Sequence, residues 1–134
     1  MTAKVLQQLI PARSSDPVKT VTVMVNGEKV KREVSPRLLL SDFLRQDLGL
    51  TGTHVGCEHG ICGCCTVILD KNAVRSCLIF AVQADGAEVR TIESVAEADG
   101  ALHPVQQAFM KNHALQCGYC TPGFVMAILD YLEK

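Results

Sequence analysis

The stretch Gly56-Cys57-Glu58-His59-Gly60-Ile61-Cys62-Gly63-Cys64-Cys65 decides how this chain is read, because glycine and cysteine are too dense in it for a regular element. Extended back to Thr51 it gains Gly52, and with four thiols it is no idle loop. It is the candidate site. Cys57-x4-Cys62-x2-Cys65, followed by Cys77, begins with the plant-type ligand spacing of a [2Fe–2S] cluster. Two ferric ions, two sulfides and four thiolates make a doubly negative centre, and reduction adds one more negative charge. The protein has to stabilise that charge. Residues without a Cβ let a loop wrap closely and turn successive backbone N–H groups toward sulfur. Gly56, Gly60 and Gly63 are placed for this, and N–H bonds to sulfur with limited access of water would set the reduction potential.

Outward from the loop, the pattern becomes regular. Upstream, Val21, Val23 and Val25 alternate with Thr20, Thr22 and Met24 and lead through Asn26-Gly27 into Lys29 to Val34, which predicts a β-hairpin. After Pro36, Leu39, Leu40, Phe43, Leu44 and Leu48 recur at helical steps and Gly49 stands where a helix would stop, so one amphipathic helix is predicted. Downstream, Thr66 to Leu69, a turn at Asp70-Lys71-Asn72 and Ala73 to Cys77 predict a second hairpin, and Glu88 to Ile92 a further strand. Strand patterning ends after Ser94. Two helices are predicted, over His103 to Leu115 and Thr121 to Leu132, with Thr121 as cap and Pro122 at the first helical position of the second. A β-rich part followed by a helical part is an α+β plan. The expected organisation is a tail over 1–16, mobile or laid along a partner, a first domain over 17–95 and a second over 96–134.

The chain has 134 residues, 48% of them apolar, which suits one ordinary domain or two small ones. Small cores commonly lean on a metal. Thirteen basic against fourteen acidic side chains leave a net charge of −1, with no basic field for a phosphate backbone, so no nucleic-acid partner is expected. The longest apolar runs, Cys77 to Val82 and Phe124 to Leu129, are six residues each, against the roughly 20 of a membrane span. No export signal is read in the first fifteen residues, and a cytoplasmic location is the default expectation.

Seven cysteines, an odd count with five inside 21 residues, do not look like the disulfide scaffold of a secreted chain. A structural zinc made from Cys62/Cys65 and Cys117/Cys120 would leave Cys57 and Cys77 unexplained. Cys57-x-His59 is half of a Rieske pattern, but no Cys-x-x-His follows. His54 and His59 are therefore read as loop residues and His103 and His113 as helix-surface residues. Cys64, which breaks the x2 spacing that Cys65 satisfies, is read as a small buried filler. Cys117-Gly118-Tyr119-Cys120 lies just before a helix start, where the backbone favours thiolate, and its helical flanks suit ligation better than a thioredoxin-type dithiol.

Three segments together carry a family resemblance: Gly56 to Val67, then Ser76-Cys77, then Gln116-Cys117-Gly118-Tyr119-Cys120-Thr121-Pro122-Gly123. From about Thr20 onward the chain resembles the iron–sulfur subunit of the molybdenum hydroxylases, the xanthine oxidase family. The resemblance implies a β-grasp, ferredoxin-like domain holding one [2Fe–2S] cluster on Cys57, Cys62, Cys65 and Cys77. It implies a second cluster in a helical domain of four-helix-bundle type, with Cys117 and Cys120 as two of its ligands, Gln116 bonded to molybdopterin and Cys117 the ligand nearest it. Members usually have a small residue where this chain has Cys64. They also draw the last two ligands of the second cluster from a Cys-x-Cys segment that would lie past Lys134, so either the natural subunit continues and the helical domain is incomplete here, the favoured expectation, or this cluster has been lost.

The function so implied is electron transfer from a molybdopterin centre through [2Fe–2S] clusters toward FAD, with no substrate chemistry in this chain. A large subunit would carry molybdopterin and a medium subunit FAD, in a heterotrimer that is itself doubled. The alternatives are a freestanding [2Fe–2S] ferredoxin, for which the near-neutral charge is poorly suited, and a zinc-stabilised adaptor.

Overall fold

Asn26 and Gly27 both lie in the left-handed region, at φ 52° and 84°, as a two-residue hairpin turn of the primed type requires. They fold β1 (Lys19–Val25) onto β2 (Glu28–Val34) in antiparallel register, Val25 opposite Glu28. Asp70 and Lys71, at φ 46° and 68°, do the same for β3 (Thr66–Leu69) and β4 (Asn72–Arg75). A fifth strand, β5 (Glu88–Arg90), runs parallel to β1 and antiparallel to β3, giving one mixed sheet of order β2-β1-β5-β3-β4. The structure, a computed structural model, describes residues 17–134, so the tail expected over 1–16 lies outside the described residues.

The alternation predicted for β1 is realised: Val21, Val23 and Val25 are buried and meet Leu40, Phe43, Leu44, Val67 and Val89 in one core. This sheet grasping one helical segment is the α+β, ferredoxin-like plan expected from the sequence. The helical segment is shorter than predicted. Leu38 and Leu40 exchange backbone bonds with Ile79 and Ala81 at 2.7–2.8 Å, so the chain stays extended until α1 (Leu40–Asp42) begins. A π-turn over Phe43–Asp47 follows, with Leu48 N–H donating to Phe43 O at 3.1 Å, and Gly49 at φ 72° ends it as predicted. Tertiary pairing has overridden helical periodicity at Leu39.

Three further boundaries differ from the sequence reading. β4 ends at Arg75 and Cys77 lies in a 3-10 turn, Ser76–Leu78, while β5 ends at Arg90. The first C-terminal helix, α2, is Pro104–Lys111, and His103 is its cap rather than a surface residue: its Nδ1 accepts from Val105 N–H at 3.3 Å. The second, α3 (Thr121–Leu132), starts with Thr121 itself, and Cys120 stands in the capping position with no side-chain cap bond, so Thr121 is not the cap.

The helices build a second core, Val105, Val125, Met126 and Leu129 against Ile68 and Val95. Since Val67 faces the first core and Ile68 the second, β3 is buried on both sides. Asp130 of α3 accepts from Ala73 N–H on β4 at 2.9 Å, and Arg90 pairs with Glu133 at 2.8 Å, which fixes the helix along the sheet. No described helix is long and apolar enough to cross a membrane.

Candidate metal centre

Between Gly49 and β3 the chain has no regular element, and Glu58, Gly60 and Gly63 take left-handed φ values of 56°, 81° and 76°. These kinks turn backbone N–H groups inward. Cys62 N–H donates to Cys57 Sγ at 3.4 Å, and with the N–H groups of His59 and Ile61 it holds the Cys57 thiol down at about 6. His59 Nδ1 donates to Cys57 O, so His59 braces the loop as a hydrogen-bonded loop residue. Cys65 and Cys77 are buried, Cys57 half-buried and Cys62 exposed. Burial first, then the neighbouring Cys65, pushes the Cys77 thiol up to about 11, while Gly60 N–H pulls the other way. Ser76 sets that neighbourhood: its N–H and Oγ both bond Cys65 O, at 3.2 and 2.8 Å, which seats Cys77 against Cys65.

At pH 7 cluster-free protein is expected to react with iodoacetamide at Cys57 well before Cys64 or Cys77, since only the first is largely thiolate there. Peptide mass mapping over pH 5–9 checks it, and labelling of Cys57 should rise through about pH 6.

The second cysteine pair lies beside the first. Although 51 residues separate Cys65 from Cys117, three contacts join the two motifs. Tyr119 Oη donates to Val55 O at 2.8 Å. His54 stacks on the Tyr119 ring, with centroids 4.6 Å apart, while its Nδ1 bonds Tyr119 O at 2.7 Å. Gly123, in the first turn of α3, lies so close to the loop that a Cβ there would stand 2.1 Å from Gly63 O and 2.9 Å from Cys64 Cα. Cys64 is buried, as a filler should be, and its thiol is pushed up to about 11 by burial and then by Cys62, with Cys120 and Cys65 also near. Gln116, Cys117 and Cys120 are exposed, and Gly118 turns between the last two at φ 80°.

The residues present fit a [2Fe–2S] centre. The N–H groups converging on the Cys57 sulfur are what an anionic centre needs, and Gly56 leaves space: a Cβ there would stand 3.2 Å from Cys62 Sγ and 3.7 Å from Cys64 Sγ. Among the described residues no three Cys, His, Asp or Glu side chains converge on a single point. A two-iron centre, with two protein ligands on each iron, does not require it. Reading the sequence missed Arg75, the hydrogen bonds by which Ser76 seats Cys77, the His54–Tyr119 stack and the close approach at Gly123. A glycine in the first turn of a helix was the one available signal, since it costs helix stability unless something needs the space.

Two family models match the chain in tandem: the 2Fe-2S iron-sulfur cluster binding domain over residues 23–98 and the [2Fe-2S] binding domain over residues 91–134. Fold and motifs thus define an iron–sulfur protein. The caffeine dehydrogenase subunit gamma of Pseudomonas sp. (strain CBB1) is 56% identical over 111 residues, 83% of this chain and 65% of that relative. A subunit beta of the 6-hydroxypseudooxynicotine dehydrogenase complex from Paenarthrobacter nicotinovorans is 57% identical over 108 residues, 81% of this chain and 67% of that relative. The crystal structure of quinoline 2-oxidoreductase from Pseudomonas putida 86 superposes with a TM-score of 0.83 at 41% identity, covering 86% of this chain and 70% of that one. The chain belongs to the iron–sulfur subunits of the molybdenum hydroxylases, an oxidoreductase family in which such subunits transfer electrons. It spans about two thirds of the length of the two curated relatives, which are themselves subunits of larger enzymes.

Proposed function

We propose that this chain is the electron conduit of a multi-subunit molybdenum hydroxylase, joining a molybdopterin centre on a large subunit to FAD on a medium subunit. Cys57, Cys62, Cys65 and Cys77 hold one [2Fe–2S] cluster, within a domain over 17–95. Cys117 and Cys120 supply two ligands of a second, within a domain over 96–134. A bound cluster supplies a one-electron store and makes no bond to substrate. The protein's own residues do the remainder. Gly56, Gly60 and Gly63 shape the loop, and N–H groups of Cys62, His59 and Ile61 meet the sulfur of Cys57. Gln116 and Cys117, exposed before α3, are assigned to the molybdopterin side.

The observation that carries this reading is the junction itself. Two cysteine motifs distant in sequence touch through Gly123, Tyr119 and His54, a closeness that serves transfer between two centres and that a freestanding carrier with one centre has no need of. The assembly proposed is a doubled heterotrimer in the cytoplasm. Purification of the native complex tests it: expected are a visible spectrum that bleaches with dithionite, iron and sulfide for [2Fe–2S] centres, and co-purifying molybdenum and flavin. A colourless, zinc-containing protein would overturn the iron–sulfur assignment, and an iron protein without molybdenum or flavin partners would make it a freestanding ferredoxin.

A further inference from the structure

Arg75 closes β4 beside the cysteine loop. Its Nη1 donates to Thr66 Oγ1 at 2.7 Å, and that hydroxyl donates to Gly63 O at 2.6 Å, so the guanidinium is tied to the turn between Cys62 and Cys65. It faces Gly63: a Cβ on that residue would stand in ordinary contact, 3.6–3.7 Å from its Nη2, Cζ and Nε. Its Nε is buried and has no hydrogen-bond partner, and among the described residues no carboxylate pairs with Arg75, the ion pairs being Arg90–Glu133 and Lys134–Asp130. Leaving a charged donor buried and unpaired costs more than leaving it in water. A half-buried, permanently charged guanidinium held by Thr66, with no carboxylate partner among the described residues and its buried Nε unpaired, is a feature that scaffold needs alone do not explain.

We propose that Arg75 is a positioning residue for charge, setting the reduction potential of the cluster held by Cys57, Cys62, Cys65 and Cys77. The inference rests on that ligand assignment. Adding one electron makes the centre more negative, with no bond made and no proton required. A fixed positive charge beside it favours the reduced form over the oxidised one, more strongly in the half-buried loop than in water. Thr66 holds the guanidinium beside Gly63, within van der Waals reach of where a Cβ would stand.

The test is an EPR-monitored redox titration of the purified holoenzyme carrying Arg75→Gln or Arg75→Lys. At the wild-type midpoint potential, Arg75→Gln should lower the ratio of reduced to oxidised first cluster roughly tenfold, about 59 mV for a one-electron couple. Arg75→Lys, which keeps the charge and loses the planar fork, should stay within about threefold of wild type, and the second cluster should shift less in both. An unchanged potential in Arg75→Gln at full iron content would overturn the proposal, as would an equal fall in Arg75→Lys, which would assign the effect to geometry. Should Arg75→Gln assemble no first cluster, the Lys variant decides: near the wild-type potential it supports the proposal, and lowered it overturns it. Iron and sulfide analysis of the wild type separates the two levels, because failure there removes the ligand assignment itself.

Discussion

Replacing Cys62 by alanine is expected to abolish the spectrum of the first cluster, remove one cluster's share of iron and sulfide, and reduce electron delivery to background. Cys62 is the informative choice because its side chain is exposed, whereas Cys65 and Cys77 are 1% and 3% exposed. Truncating either of those would mix loss of a ligand with loss of packing. At Cys62 the missing thiolate dominates, since a metal centre short of one ligand loses both affinity and the loop order it supports. The paired control is Cys64→Ala. Cys64 is buried between Cys62, Cys65 and Cys120, yet it lies outside the proposed ligand set, so its removal should leave the first-cluster spectrum intact at a modest cost in stability. Loss of that spectrum in the Cys64 variant alone would mean the wrong cysteine has been assigned.

Gly123→Val should produce the second large effect, lifting the start of α3 off the cysteine loop. The obstruction is backbone: its Cβ would sit 2.1 Å from Gly63 O and 2.9 Å from both Cys64 Cα and Cys64 O, which no rotamer relieves. Overpacking at such a site costs about 1–3 kcal/mol or more, and each kcal/mol lowers Tm by a few degrees in a chain of this size. The magnetic coupling between the two reduced clusters should weaken in the same variant, because the Gly123 approach holds their motifs together. Thermal unfolding of the holoenzyme with EPR of the fully reduced state reads both effects. A variant that melts and couples like wild type would show that the approach has no structural consequence. Gly123→Ala places the same offending carbon and should move both readouts in the same direction.

The two hairpins were legible because their signals are local. Asn26-Gly27 asks for left-handed φ values and the valines of β1 alternate, so turn and register follow from neighbouring residues. The spacing of Cys57, Cys62 and Cys65 was legible for the same reason. What escaped was set by partners remote in sequence. Leu39 carries helical periodicity but stays extended because its neighbours bond to Ile79 and Ala81. His103 looked like a helix-surface residue and caps α2, while His54, a loop residue as read, has a partner 65 residues away, Tyr119, that no local pattern shows. Arg75 read only as part of a strand, since its place beside Gly63 depends on how β3 and β4 close around the loop.

The strand that carries Val67 on one side and Ile68 on the other bears on how such a unit could be reused. Its two faces commit it to a buried middle layer, so severing the helices would leave an oily flank exposed to water. Turning the N-terminal half into an independent shuttle protein would thus require Ile68 to be exchanged for a hydrophilic side chain, together with the cut. The cost of independence is already written on the back of a four-residue strand.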